Sequence, residues 1–244
     1  MRTLVIGDIH GGLRALIQVL NRAKVSVSDN LIFMGDYVDG WSESPQLLDF
    51  LIELENQQNC IFIRGNHDQL FLDWLVGRHE NIDEKLWFVH GGKATVDAYK
   101  SVTAEATKQH ISFLEKLNNY HKDSKNRLFV HAGFTHEKGV EHEENHKNYY
   151  WDRTLWTSSL ELDKNLKPTD IAYPEKLRLY NEIYIGHNPV TRIGKTTPVQ
   201  LSSIWNVDTG AAFTGPLTIM DIDTKEFWQS DPLPKLYPDE KGRN

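Results

Sequence analysis

The chain of 244 residues contains a single cysteine, Cys60, so no intramolecular disulfide can form. The fold must therefore rest on its own core, and the length suffices for one large α/β domain or two small ones. No apolar run approaches the ~20 residues that a bilayer span requires, so no membrane partner is expected. The opening MRTLVIGDIH has neither a long apolar stretch nor a small-residue cleavage site, and reads as a first core strand rather than a secretory signal. With one thiol and no leader, a cytoplasmic location is expected. Linkers rich in Pro, Gly or Ser and internal repeats are also missing, so residues 1–244 are read as a single domain. Clustered basic residues are lacking as well, and the net charge is −7, which argues against a nucleic-acid partner. Phosphate substrates are not excluded by that figure, because bound divalent cations reverse the charge of a site locally.

Apolar runs of strand length alternate with segments of helical period. Thr3–Gly7, Asn30–Gly35, Cys60–Arg64, Arg127–Val130 and Glu182–Ile185 read as strands. Leu13, Leu16, Ile17 and Leu20 fall on one helical face, and Pro45–Glu55, Asp68–Val76 and Ala104–His121 read as further helices. The runs are continuous rather than alternating, which predicts strands covered on both faces. Later, Ser203–Val207 and Leu217–Gln229 read as strands, the second broken by a turn at Asp223-Thr224-Lys225. The pattern predicts an α/β architecture with a mixed, layered sheet core. Thr135–Asn148 is polar and is expected to be a solvated loop, although it carries His136, His142 and His146.

Where the strands stop is informative. The first leads into Asp8 and His10, the second into Asp36 and Asp39, and the third into Asn66, His67 and Asp68. The fourth leads into His131 and the fifth into His187. Ligands in open α/β sheets bind beyond the carboxyl ends of strands, so these scattered side chains are expected to converge. Carboxylate, imidazole and amide oxygen without thiolate suit Mn²⁺, Fe or Zn. The set is too large for one ion but sufficient for two sharing a carboxylate. Glycine precedes Asp8, Asp36, Asn66 and His187, and its missing Cβ is expected to permit tight turns there.

The segments GDIHG, GDYVDG, RGNHD, HAG and GH, in this order, resemble the calcineurin-like metallophosphoesterases, and within them the bacterial serine/threonine phosphoprotein phosphatase branch. The late NVDTGAAFTGPLT also resembles bacterial members. The resemblance implies a central mixed β-sandwich flanked by helices, with two divalent metal ions on loops at one edge. Manganese is the first expectation, with iron or zinc as alternatives. It implies that Asp8 and His10 hold one ion, that Asp36 bridges, and that Asn66, His131 and His187 hold the other. Hydroxide between the ions would then attack phosphorus in line. His67 would protonate the leaving oxygen, oriented by Asp39. Arg64 and Arg153 would cradle the phosphate.

Three positions depart from the resembling pattern. Gly40 and Trp41 follow Asp39 where the family usually has Arg-Gly, so one phosphate-binding arginine is missing, and Asp68 replaces a glutamate. His90, before Gly91 and Gly92, superficially resembles a metal-binding motif. His131 is preferred because it follows a clear strand, whereas the His90 segment resembles a stretch that shapes the substrate cleft. The first expectation is a binuclear metal-dependent phosphatase, most simply a monomer, acting on phosphoproteins or small phosphorylated molecules. Hydrolysis of a dinucleoside polyphosphate or other nucleotide is the alternative that the missing arginine keeps open. A catalytically dead binding module is disfavoured because every expected ligand is present. A nuclease is disfavoured for want of a basic groove.

Overall fold

The computed structural model describes residues 1–243. Ten strands form two five-stranded sheets. The first sheet contains β1 (Thr3–Ile6), β2 (Asn30–Phe33) and β3 (Cys60–Phe62), with β9 (Thr218–Asp221) and β10 (Phe227–Gln229), in the order β10-β9-β1-β2-β3. The second contains β4 (Tyr120–Lys122), β5 (Arg127–Val130), β6 (Glu182–Ile185), β7 (Val199–Leu201) and β8 (Ile204–Asn206), in the order β4-β5-β6-β8-β7. The helices are α1 (Leu13–Arg22), α2 (Ser44–Glu55), α3 (Asn66–Leu75), α4 (Glu84–Trp87), α5 (Lys93–Tyr99), α6 (Ala104–Glu115), α7 (Asn148–Trp151), α8 (Thr154–Glu161) and α9 (Leu233–Leu236).

Each sheet has a parallel core. β1, β2 and β3 run parallel, as do β5, β6 and β8, while β9, β10, β4 and β7 complete the edges antiparallel. The strands alternate sides with period two. Val5, Ile32, Met34, Phe129, Tyr184 and Met220 fill the space between the sheets, where Phe129 and Tyr184 stack at 4.8 Å. Leu4, Ile6, Leu31 and Phe33 face the other way, against Leu16 and Val19 of α1, Leu47 and Leu51 of α2 and Phe113 of α6. On the far side of the second sheet, Leu128, Val130, Ile183 and Ile185 pack against Leu155 and Trp156 of α8 and a group of tyrosines. The result is a β-sandwich flanked by helices. It explains the continuous apolar runs, since both faces of these strands are covered.

Two boundaries differ from the sequence reading. The helix expected from Asp68 starts at Asn66, because Asp68 closes a capping box with the backbone of Gly65. The helix expected over Ala104–His121 ends at Glu115, and Tyr120–Lys122 pairs antiparallel with β5 instead. Ladder partners supplied by the next strand, across a tight turn over residues 123–126, override local helical periodicity there. Thr135–Asn148 is largely a turn-rich loop, ordered around Glu143, which accepts hydrogen bonds from Thr135 N, His136 N and Asn145 N.

Candidate metal centre

The carboxyl ends of the two parallel cores are tied to one another by side-chain to backbone contacts: His187 N donates to the Asp8 carboxylate at 2.9 Å, and His131 Nδ1 meets the carbonyl of Met34 at 2.7 Å. Asp8, His10 and Asp36 thus converge in one group, and Asp36, His131 and His187 in another. Asp36 belongs to both. Its Oδ2 lies 3.4 Å from His10 Nε2 and 3.4 Å from His131 Nε2. Asn66 Oδ1 lies 3.3 Å from His131 Nε2, so the amide joins the second group.

Hydrogen bonds fix which imidazole nitrogen is available. His10 Nδ1 meets the carbonyls of Val38 and Asp39 at 3.1 and 2.8 Å, and His131 Nδ1 meets the carbonyl of Met34 at 2.7 Å. A carbonyl only accepts, so Nδ1 carries the proton in each ring and Nε2 is left as the ligand atom. Asp8 Oδ1 and His187 Nε2 are buried with no hydrogen-bond partner. Orphaned buried acceptors of this kind are costly unless an ion satisfies them. Oxygen and imidazole donors around a shared carboxylate fit two ions of the Mn, Fe or Zn kind.

Charge balance points the same way. Burial pushes the Asp8 carboxyl well above its ordinary range, and Asp208 and Asp36 add to this. Burial also pushes Asp208 up to about 6. Burial alone would raise Asp36 too, but His131, His67 and His10 outweigh it and hold that carboxyl well below its usual range. Burial opposes protonation of His131, yet Asp36 and Asp8 carry it up to about 10. Burial instead holds His10 and His187 well below the imidazole range, so the positive charge that the carboxylates call for rests on His131 and, as a proton, on Asp8.

The backbone is strained where the ligands sit. His10, Asp36, Asp39 and His187 all adopt positive φ, at 52°, 53°, 70° and 62°. Strain of this sort persists only where the surroundings enforce it, and it concentrates at functional sites. The glycines before the ligands have two different tasks. Gly35 takes a φ of 98° and so makes a turn barred to other residues. Gly65 and Gly186 serve close approach instead: a Cβ on Gly65 would lie 2.1 Å from Asp36 Oδ1, and one on Gly186 would lie 2.0 Å from Asp8 Oδ1. The expectation of a tight turn at every such glycine is corrected accordingly.

His67 lies beside the candidate ligands, its ring 5.1 Å from that of His10. Its Nδ1 lies 2.6 Å from Asp39 Oδ2. The same oxygen accepts the Trp87 indole N–H at 2.5 Å, while Asp39 Oδ1 accepts the Thr95 hydroxyl at 2.8 Å. Trp87 and Thr95 flank His90, so the segment that offers His90 as a decoy in fact buttresses Asp39. His90 itself lines the cleft and belongs to neither ligand group.

The cleft over the centre encloses about 350 Å³. Arg153 lines it, with Nη1 donating to Asn188 Oδ1 at 2.7 Å, and so do Arg192 and Arg243. Arg64 does not. Its guanidinium is turned away to Gln69 Oε1 at 2.8 Å and to the carbonyls of Glu115 and Leu117, both at 3.2 Å. The end of α6 leaves carbonyls unpaired, and a cation satisfies them, so the substrate role expected for Arg64 is corrected to a structural one. Trp41 is fully buried, with its indole N–H donating to Ala211 O at 2.8 Å.

Sequence reasoning gave no individual role to Asp208, Trp87, Thr95, Arg192 or Arg243. Asp208 had a readable signal, since it follows β8 just as the acidic candidate ligands follow their strands, and Trp87 and Thr95 lie in the His90 segment whose resemblance pointed to the cleft. Arg192 and Arg243 depend on folding geometry. His136, His142 and His146 join no potential ligand group among the described residues.

Residues 1–197 match the family model for calcineurin-like phosphoesterases, and the chain belongs to that family. Among named relatives, the asymmetrical bis(5'-nucleosyl)-tetraphosphatase PrpE of Oceanobacillus iheyensis is 24% identical, with 93% of this chain and 91% of that protein covered. A solved structure provisionally assigned as a diadenosine tetraphosphatase superposes with a TM-score of 0.62 at 18% identity, covering 93% of this chain and 92% of that one. A protein serine/threonine phosphatase from Saccharomyces cerevisiae shares the fold with a TM-score of 0.59 at 15% identity, covering 95% and 80%. The protein is thus a metallophosphoesterase, and no described helix is long and apolar enough to cross a membrane.

Proposed function

We propose that this protein hydrolyses a nucleotide carrying a chain of phosphates, with a dinucleoside tetraphosphate as the best-fitting substrate. One observation carries the reading: Arg153, Arg192 and Arg243 all line the cleft, next to Trp151, Leu86 and Phe213. A phosphate monoester brings about two negative charges at neutral pH, which three guanidiniums exceed. A polyphosphate chain spreads more charge over a longer path. Trp151 and Leu86 are 43% and 55% exposed at the rim, apolar surfaces on which a nucleobase can stack. The named relatives support the same choice.

Two divalent ions, when bound by Asp8, His10, Asp36, Asn66, His131 and His187, polarise phosphoryl oxygens and lower the pKa of water. The metal is proposed to be of the Mn, Fe or Zn kind, with manganese the first expectation, because the donors are three oxygens and three imidazoles without thiolate. Around that centre the chain's own groups hold and move protons. Asp39 engages His67 Nδ1, which leaves Nε2, on the opposite edge of the ring, to deliver a proton to the leaving phosphate or alcohol oxygen. Arg153, braced by Asn188, orients the anionic chain.

Phosphoprotein hydrolysis is the second reading, supported by the motif set GDIHG, GDYVDG and RGNHD. Measuring kcat/KM with Mn²⁺ on diadenosine tetraphosphate and on phosphoserine and phosphothreonine peptides separates the two. The dinucleotide is expected to be preferred by about tenfold or more, the worth of one additional charged contact. Preference for the peptides would overturn the nucleotide reading in favour of the second.

A further inference from the structure

Arg243 reaches the metal centre from a segment that no motif includes. It lines the cleft, its Nε is buried without a hydrogen-bond partner, and its Nη1 lies 3.5 Å from His10 Nε2, the nitrogen left free for an ion. Among the described residues no carboxylate pairs with it, whereas Arg127, at the start of β5, pairs with both Asp123 and Asp223. A guanidinium offers five donors and no acceptor, so one that is partly buried and unpaired is a site for an anion.

Its position is built in several steps. Tyr237 is buried, stacks on Trp41 at 5.1 Å, donates its hydroxyl to Glu43 at 2.5 Å and accepts from Arg14 N at 3.0 Å. Glu240 accepts from Ser42 N at 2.9 Å and from Ser42 Oγ at 2.7 Å. Gly242 follows at a φ of 63°, where a Cβ would lie 2.7 Å from the Trp41 ring. Arg243 N then donates to Ala212 O at 2.8 Å, and the guanidinium carbon sits 5.3 Å over the Phe213 ring. On the other side, Gly40 and Gly91 make room: Cβ atoms there would lie 3.4 and 2.9 Å from Arg243 Cγ. Residue 40 is where the motif resemblance leads one to expect an arginine. Here a glycine stands at that place and a side chain from the far end of the described chain passes over it.

We propose that Arg243, carried over the cleft by the segment Leu233–Arg243, binds a phosphate group of the substrate directly and supplies the anion contact that residue 40 lacks. The inference deepens the nucleotide reading and rests on it only for the identity of the substrate. The test is calorimetric titration of inorganic orthophosphate into the manganese-loaded full chain, with elemental analysis of bound manganese in the same samples. Arg243→Ala is expected to weaken orthophosphate by about tenfold or more, as loss of one charge-assisted hydrogen-bonded contact does, with manganese content unchanged. Arg243→Lys is expected to fall between the two, because a point charge replaces a fork. KM for diadenosine tetraphosphate should rise more than kcat falls. Orthophosphate affinity within about twofold of the parent would overturn the proposal, being too small for such a contact. So would a loss of affinity accompanied by loss of manganese, which would mark Arg243 as a structural support. If peptides prove the better substrates but Arg243→Ala still loses orthophosphate, the nucleotide reading fails and this one stands.

Discussion

Trp87 and His67 share one oxygen: Oδ2 of Asp39 receives the indole N–H at 2.5 Å and lies 2.6 Å from the imidazole Nδ1. With Thr95 on Oδ1, the carboxylate is held at three points in a fully buried position. The His67 ring therefore has a fixed orientation, and Trp87 has a fixed place because Gly92 lies beneath it. A Cβ on Gly92 would stand 2.3 Å from the indole ring. Replacing Trp87 by phenylalanine keeps most of the packing and removes one hydrogen bond to a buried charge. The expected result is a fall in kcat of about tenfold, from a loss of roughly 1.5 kcal/mol. KM and bound manganese should stay unchanged. Steady-state kinetics with metal analysis checks this, and an unaltered kcat would remove Trp87 from the proton-transfer arrangement.

Gly186→Ala tests the close approach to Asp8. The new methyl must displace the Asp8 carboxylate, which its position would otherwise meet at 2.0 Å. The Asp8 side of the centre should lose its ion while the Asp36–His131–His187 side keeps one. Asp36→Asn should differ by losing both, since Asp36 belongs to the two groups at once. Titrating manganese into each metal-free variant gives the stoichiometry, and two ions bound by Gly186→Ala would refute the packing argument.

Asp68 is expected to matter for stability more than for chemistry. Its carboxylate accepts from the backbone N–H groups of Asp36, Tyr37 and Gly65, each at 2.8 Å, and so fixes the turn that presents Asp36. Burial nonetheless pushes its pKa up to about 7. Asp68→Ala strands three buried donors, each costing about 1–3 kcal/mol, so a loss of roughly 3 kcal/mol or more is expected. Urea denaturation of the metal-free protein measures it. A variant as stable as the parent would mean that water replaces the carboxylate.

Acid sensitivity should have a local contribution remote from the cleft. The hydrogen bond from the Arg2 side chain is the main reason that the Asp29 carboxyl titrates well below its ordinary range, and the backbone N–H groups of Ser26 and Arg2 add to it. A carboxyl depressed in the folded state stabilises fully above its unfolded pKa of about 4, and that stability is lost as pH falls below it. Asp29→Asn should therefore be less stable than the parent at pH 7, with the gap closing between pH 4 and lower values. A gap that stays constant with pH would exclude the ion pair as its source.

Much of the candidate metal centre was legible because it depends on short local patterns. Each of Asp8, Asp36, Asn66, His131 and His187 follows a buried apolar strand, and a parallel sheet places the ends of such strands on one side. Asp208 obeys the same rule after β8 and could have been found in the same way. Arg64 shows the limit of motif reasoning. Its place in RGNHD suggests a phosphate contact, but the unpaired carbonyls at the end of α6 stand within its reach and take it.

The sequence by itself determined the five strands that lead to the site, their covered faces and the candidate ligands beyond their ends, because strand periodicity and ligand chemistry act over a few neighbouring residues. Which nitrogen of each histidine is free, which glycines serve close approach, and which arginines meet the cleft were decided only when the chain folded. Those outcomes depend on carbonyls, ring faces and cavities contributed by distant segments. Thus Trp87 came to Asp39, and Arg243 came to the space above Gly40.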